Sequence, residues 1–263
     1  MAIKITFTNH KGGVAKTSST LQMAGEFGRL GYKVLVLDLD SQVNCSIHLG
    51  LIHPSEANIS MADLLNNNDN SLIRKSIHET RFKNVSLIYS SIELHSVEEN
   101  LKDISMRHNE EIKRITKEID DEFDIIFIDT PPSLRVLTTN ALVSADYYII
   151  PVESGSSYSL YGFNDVENLA QKIKNSLNED LKFLGVLLVK HDKRLQVCQA
   201  LEETIKQRKI KLIDITIPNS TKINQASMLK KTIHEIDKES SVCREIKRLA
   251  KFIEQETNLK KAS

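Results

Sequence analysis

A glycine-rich turn with two lysines, Asn9-His10-Lys11-Gly12-Gly13-Val14-Ala15-Lys16-Thr17-Ser18, carries the clearest chemistry in this 263-residue chain. An anion is held well where successive backbone N–H groups and a helix N-terminus point at one place. Paired glycines let the backbone turn sharply and come close to phosphate. The candidate cradle runs from Lys11 through Gly12, Gly13, Val14, Ala15, Lys16 and Thr17 to Ser18. Lys16 is spaced to reach the β- and γ-phosphates of a nucleotide, and Thr17 to offer its hydroxyl to Mg²⁺. The alternative is a glycine turn with two surface lysines. A strand pattern before the loop and a helix pattern after it argue against that.

Three further acids belong with the loop. Asp38 and Asp40 end the apolar run that starts at Val34. Two acids at a strand end can form a simple turn; beside a phosphate loop they orient water and Mg²⁺. Asp129 ends a second apolar run, Ile125-Ile126-Phe127-Ile128, and is expected in the Mg²⁺ shell with Thr17 and Asp40. Pro131 and Pro132 stiffen the following loop, which suits a sensor of the γ-phosphate. The ligands expected are ATP and Mg²⁺.

The elements that must position these residues are legible as short β-branched runs at 3–8, 34–38, 85–89, 125–129, 147–152, 183–189 and 212–217. Helical patterns alternate with them: 17–30, closed by Gly31, then 98–119, 162–177, 196–209, and a last helix with Val242, Ile246, Leu249 and Ile253 on one stripe. This alternation predicts an α/β fold, a mostly parallel doubly wound sheet with helices on both faces. Ligands of such sheets bind beyond the carboxyl ends of the strands, where the motifs fall. The Asn-rich stretch Asn66-Asn67-Asn68-Asp69-Asn70 reads as a surface loop.

Length and composition suit one soluble domain spanning 1–263, with 40% hydrophobic and 27% charged residues. No apolar run is long enough to span a bilayer. The N-terminus enters a strand pattern without a secretory h-region, which predicts a cytoplasmic protein. Cys45, Cys198 and Cys243 are widely spaced and odd in number, so reduced thiols are expected rather than disulfides or a metal centre. Net charge is zero but uneven: residues 1–189 carry 18 Lys/Arg against 25 Asp/Glu, and residues 190–263 carry 17 against 10. A solvated helical face and a polyanion-binding surface both fit that asymmetry.

The pattern Lys11-Gly12-Gly13-x-x-Lys16-Thr17 resembles the ParA/Soj family of deviant Walker-A P-loop ATPases. So do Asp129-Thr130-Pro131-Pro132-Ser133 and Ala145-Asp146-Tyr147-Tyr148-Ile149-Ile150-Pro151-Val152. The resemblance covers nearly the whole chain and is weakest at 50–85 and after 226. It implies that Lys11 reaches the nucleotide of a partner subunit in an ATP sandwich homodimer. It implies that Asp40 positions the attacking water, and that Pro218 and Asn219 lie against adenine. It implies a weak ATP hydrolase stimulated by a ParB-like activator, and non-specific double-stranded DNA as a partner that draws the ATP form to the nucleoid. Arg194 and Lys222 match basic positions that relatives use for DNA; Lys230 and Lys231 follow closely and are added candidates. No stable membrane association and no N-terminal helix-turn-helix domain are expected. Three departures stand out. Ala15 replaces a usual glycine and is taken as tolerable near helical φ. Ser41 and Val43 replace Pro and Gly in Asp-Pro-Gln-Gly-Asn. The segment 153–159 differs from the usual aromatic-containing one. A MinD-like membrane-surface ATPase is the alternative, which needs an amphipathic basic tail. A nitrogenase-iron-protein type is disfavoured because no cysteine lies between Cys45 and Cys198.

Overall fold

The computed structural model describes residues 1–67, 69–155 and 159–261, without the side chains of Ser159 and Tyr161. Eight strands form one sheet: β1 (Ile3–Phe7), β2 (Val34–Asp38), β3 (Ile77–Glu79), β4 (Val85–Ile88), β5 (Ile125–Asp129), β6 (Tyr147–Glu153), β7 (Lys182–His191) and β8 (Leu212–Pro218). Their order is β3-β4-β2-β5-β1-β6-β7-β8. Every pairing is parallel except β3–β4. Strands buried on both faces need apolar side chains at odd and even positions alike. Val34 and Val36 accordingly face one core and Leu35 and Leu37 the other.

Eleven helices cover the described sheet: α1 (Lys16–Arg29), α2 (Asn44–Leu49), α3 (Met61–Asn67), α4 (Leu94–Ile104), α5 (Glu111–Lys117), α6 (Val136–Ser144), α7 (Ser159–Lys174), α8 (Gln196–Gln207), α9 (Thr221–Met228), α10 (Ile233–Ile236) and α11 (Ser241–Thr257). The helices α1, α2, α9, α10 and α11 lie on one face; α3 to α8 lie on the other. The stripe Val242, Ile246, Leu249 and Ile253 of α11 is buried in the core. That burial removes the apolar face a membrane-surface helix requires. No helix among the described residues is long and apolar enough to cross a membrane.

Two expectations fail. The segment 98–119 is not one helix: α4 ends at Ile104 and α5 starts at Glu111. Side chains rather than Gly or Pro make the break. Ser105 turns extended at φ −135, and its hydroxyl donates to Glu111 and accepts from the Arg107 N–H at 3.1 Å. Asn140 of α6 then donates to the His108 carbonyl at 2.6 Å and accepts from the Ile112 N–H at 3.2 Å. Strand β3 was not anticipated; its three residues form an antiparallel rim. In the Asn-rich stretch, Asn66 and Asn67 end α3, Asn70 opens a 3₁₀ turn, and Asn68 lies outside the described residues. So do residues 156–158 of the divergent 153–159 segment.

Candidate active site

Sheet order builds the site. The strand β5 lies between β1 and β2, in a register that sets Phe7 beside Asp129 and Asp129 beside Asp38. The loop leaving β1 therefore emerges next to the acids ending β5 and β2. Asn9 fastens its start: its side-chain amide donates to the Pro151 carbonyl at 2.8 Å and its oxygen accepts from the Lys11 N–H at 3.1 Å. A Cβ added at Gly12 or Gly13 would meet nothing within 4 Å, so both backbones border open space. Gly13 has φ +76, a conformation that favours glycine.

Ala15 corrects the sequence reading. It is not near helical φ but left-handed, at φ +62, ψ +29, where it N-caps α1 without a side-chain bond. Val43 does the same before α2, at φ +52. The loop after Asp40 therefore keeps a shape glycine would adopt freely, with a β-branched residue in the position. A left-handed residue that is not glycine costs about 1–2 kcal/mol.

Lys16 is buried, and its amine donates to the Lys11 carbonyl at 3.2 Å. Burial lowers its pKa, while Asp129 and Asp40 pull it upward. The Thr17 hydroxyl donates to Asp129 Oδ2 at 2.7 Å, and that of Thr20 reaches Asp129 Oδ1 at 3.4 Å. Burial, and then the charge of Asp38, push the Asp129 carboxyl up to about 8. Burial also raises Asp40, against the Gln42 N–H and Lys16. Asp40 accepts from Gln42 N at 3.0 Å, an Asx turn that aims the loop.

Asp38 was read as one of two acids and given no role of its own. It is fully buried and organises the others. It accepts from the Asp40 N–H at 3.0 Å, the Ser46 N–H at 2.8 Å and the Ser46 hydroxyl at 2.6 Å. Its carboxyl is nonetheless pushed up to about 6 by burial. The sequence signal was present: an acid two residues before Asp40 at a buried strand end. Thr20 and Asn9 carried no comparable signal.

A cleft of about 600 Å³ is lined by Gly12, Lys16, Thr17, Asp40, Pro218, Asn219 and Lys230. Val14 is buried, Ser18 lines the cleft, and Lys11 is half-buried. No trio of His, Cys, Asp or Glu among the described residues forms a metal cage by itself. Mg²⁺ takes one or two protein ligands and fills its sphere with phosphate and water. Thr17 with Asp129 is such a pair, and the raised Asp129 marks charge that a cation would relieve.

The four basic candidates are not gathered in one lining. Arg194 is 89% exposed, lies by a second cleft and pairs with Asp192 at 2.7 Å. Lys222 pairs with Asp237. Lys230 borders the first cleft, and Lys231 is exposed beside it in sequence.

The AAA domain family (AAA_31) matches residues 2–183. A second family, 4Fe-4S iron sulfur cluster binding proteins of the NifH/frxC type, matches residues 138–261. The cysteines in that span, Cys198 and Cys243, are both buried, on helices that cover opposite faces of the sheet, so they do not pair as cluster ligands. The chain is 32% identical to the sporulation initiation inhibitor protein Soj of Bacillus subtilis, over 84% of this chain and 86% of that one. It is 30% identical to the chromosome-partitioning ATPase Soj of Treponema pallidum, over 96% and 97%. In fold it is similar to cobyrinic acid a,c-diamide synthase of Mycobacterium smegmatis with bound ATP analog and magnesium (TM-score 0.84, 22% identity, all of both chains). It is similar also to the septum site-determining protein MinD of Pyrococcus horikoshii with Mg-ADP (TM-score 0.79, 22% identity, 98% of each). With the glycine loop, Lys16, Thr17 and the strand-end acids in place, this chain belongs to the ParA/Soj family of deviant Walker-A partitioning ATPases.

Proposed function

We infer that this chain binds Mg-ATP in the cleft, dimerises around it and hydrolyses it slowly until an activating protein arrives. The observation that carries this reading is Lys16, Thr17 and Asp129 meeting beneath two glycines with open space above them. The backbone of Gly12 to Ser18 cradles the phosphates, and Lys16 neutralises their developing charge. Bound Mg²⁺ supplies Lewis-acid polarisation of the phosphate oxygens, with Thr17 and Asp129 holding its shell. Asp40 orients the attacking water, and Pro218 and Asn219 line the base end of the cleft. Lys11 serves the nucleotide of the second subunit. The whole chain 1–263 acts as one ATPase domain.

The partitioning role follows the family resemblance of the sequence motifs: the ATP-bound dimer binds double-stranded DNA non-specifically, associates with the nucleoid and is released when a ParB-like partner stimulates hydrolysis. The net positive charge after residue 189 supports DNA as the polyanion. Isothermal titration with ATP tests the base of this reading. Lys16→Ala is expected to lose measurable ATP binding. Equal affinity in both proteins would reject the site.

A further inference from the structure

The two ends of the phosphate loop are anchored by different parts of the fold. The far end, Lys16 and Thr17, opens α1 and meets Asp129 of β5. The near end hangs on Asn9, which is 1% exposed. The Asn9 amide donates to the Pro151 carbonyl of β6 at 2.8 Å, and its Oδ1 accepts from the Lys11 N–H at 3.1 Å. A carbonyl can only accept and an N–H can only donate, so these two partners fix which way the amide points.

The helix α7 closes over that amide. A Cβ built at Gly162 would lie 2.6 Å from Asn9 Oδ1 and 3.4 Å from His10 Cε1. Glycine weakens a helix, and here its bare backbone is what lets α7 approach the loop. Asp165 follows three residues on, so it lies on the same side of α7, and its Oδ2 stands 3.6 Å from His10 Nδ1. The helix α1 packs into the core on one face of the sheet and α7 into the core on the other. The two ends of the loop therefore answer to helices on opposite faces.

We propose that Asn9 and Gly162 are positioning residues for Lys11, so that the seat of α7 sets how well Lys11 serves the second subunit. The proposal rests on the ATPase reading above and deepens the role given there to Lys11. Neither residue lines the cleft; both act through the Lys11 main chain. A Cβ at Gly162 pushes Asn9 Oδ1 off line and releases the Lys11 N–H from its anchor, while Thr17 and Asp129 keep their places. The Lys16 amine also reaches the Lys11 carbonyl, at 3.2 Å, but a bound phosphate competes for that amine.

The test uses the full chain, first without nucleotide. Exchange of the Lys11 amide, read by NMR, is expected to be about tenfold faster in Gly162→Ala and in Asn9→Ala than in wild type. With Mg-ATP, both variants are expected to keep ATP affinity within about threefold in calorimetry, and to lose about tenfold in dimer stability by light scattering and in turnover by phosphate release. The double variant should be no worse than Asn9→Ala alone, because the atom that the new Cβ meets is gone. Phe163→Leu, at a buried position of the same helix, is the control for stability: it should lower Tm and leave Lys11 exchange and dimerisation unchanged. Wild-type exchange or wild-type dimerisation in Gly162→Ala overturns the proposal, as do additive losses in the double variant or a Phe163→Leu protein with the same defects. If Gly162→Ala does not fold, Asn9→Ala decides, and wild-type behaviour there overturns the proposal. Faster Lys11 exchange in both variants, with no ATP binding in any protein including wild type, sinks the ATPase reading and upholds the anchor.

Discussion

Replacing Val43 with glycine should stabilise this protein, although it removes side-chain atoms from a half-buried position. Val43 holds φ +52, ψ +19, between Asp40 and helix α2. The Val43 N–H donates to the Asp40 carbonyl at 2.9 Å, so the turn is closed with the strain inside it. Left-handed backbone costs a residue with a Cβ about 1–2 kcal/mol, and β-branching puts valine at the upper end. Glycine relieves that cost but gives back about 0.4–1 kcal/mol through the freer unfolded chain. The net expectation is a gain of about 1 kcal/mol, less whatever packing the lost Cβ and its two methyls supplied. For a domain of this size that is a rise of about 2–4 °C in Tm. Urea and thermal unfolding should be followed without nucleotide, since bound ligand shifts Tm by mass action. Val43→Ala is the control: it keeps the Cβ and most of the strain, and should not gain. A Val43→Gly protein less stable than wild type, or a Val43→Ala protein that gains as much, would refute the reasoning.

Asp40→Ala should keep ATP binding and lose hydrolysis; wild-type turnover in the mutant removes Asp40 from its role. The same variant should form ATP-dependent dimers in light scattering, whereas Lys11→Ala should bind ATP as a monomer. Reversing Arg194 and Lys222 to Glu should abolish DNA binding with dimerisation intact, in a salt titration by anisotropy on two unrelated duplexes; a strong preference for one duplex counts against phosphate contacts. Asp129 and Asp38 have folded pKa values raised to about 8 and about 6, so ionising them costs stability that accrues as pH rises above their unfolded value. Nucleotide-free protein should therefore lose Tm from about pH 4 toward pH 8, and Mg-ATP should flatten the fall; a pH-independent Tm without ligand would show the acids are not strained.

Strand–helix alternation, the parallel sheet and the phosphate loop were legible because each follows from a local pattern. Seven of the eight strands are apolar runs, and the loop is punctuated by glycines. What escaped depends on contacts distant in sequence. The break between α4 and α5 rests on Asn140, some thirty residues downstream, and β3 exists only because β4 offers it an edge. Asp38 escaped for another reason. Two acids ended one strand, and only the register with β5 shows that the first is sealed beside Asp129 and braces the second. The left-handed Ala15 could not be read from residue type, since alanine is by itself a helix former. The basic residues near the C-terminus were visible as a charge excess, but their ion pairs with Asp192 and Asp237 were not.

The two rims of the sheet constrain how copies of this chain can build anything larger. One rim is β3, three residues long and antiparallel, too short to template another strand. At the other, β8 has Arg248 of α11 lying on the Asp214 carbonyl at 3.2 Å, with the Lys211–Glu256 pair at its start. An incoming strand would have to evict these side chains before it found a free ladder of donors and acceptors. Growth by sheet extension is therefore blocked at both ends. Assembly is left to the loops and helices at the strand tips, where the ligand cleft opens.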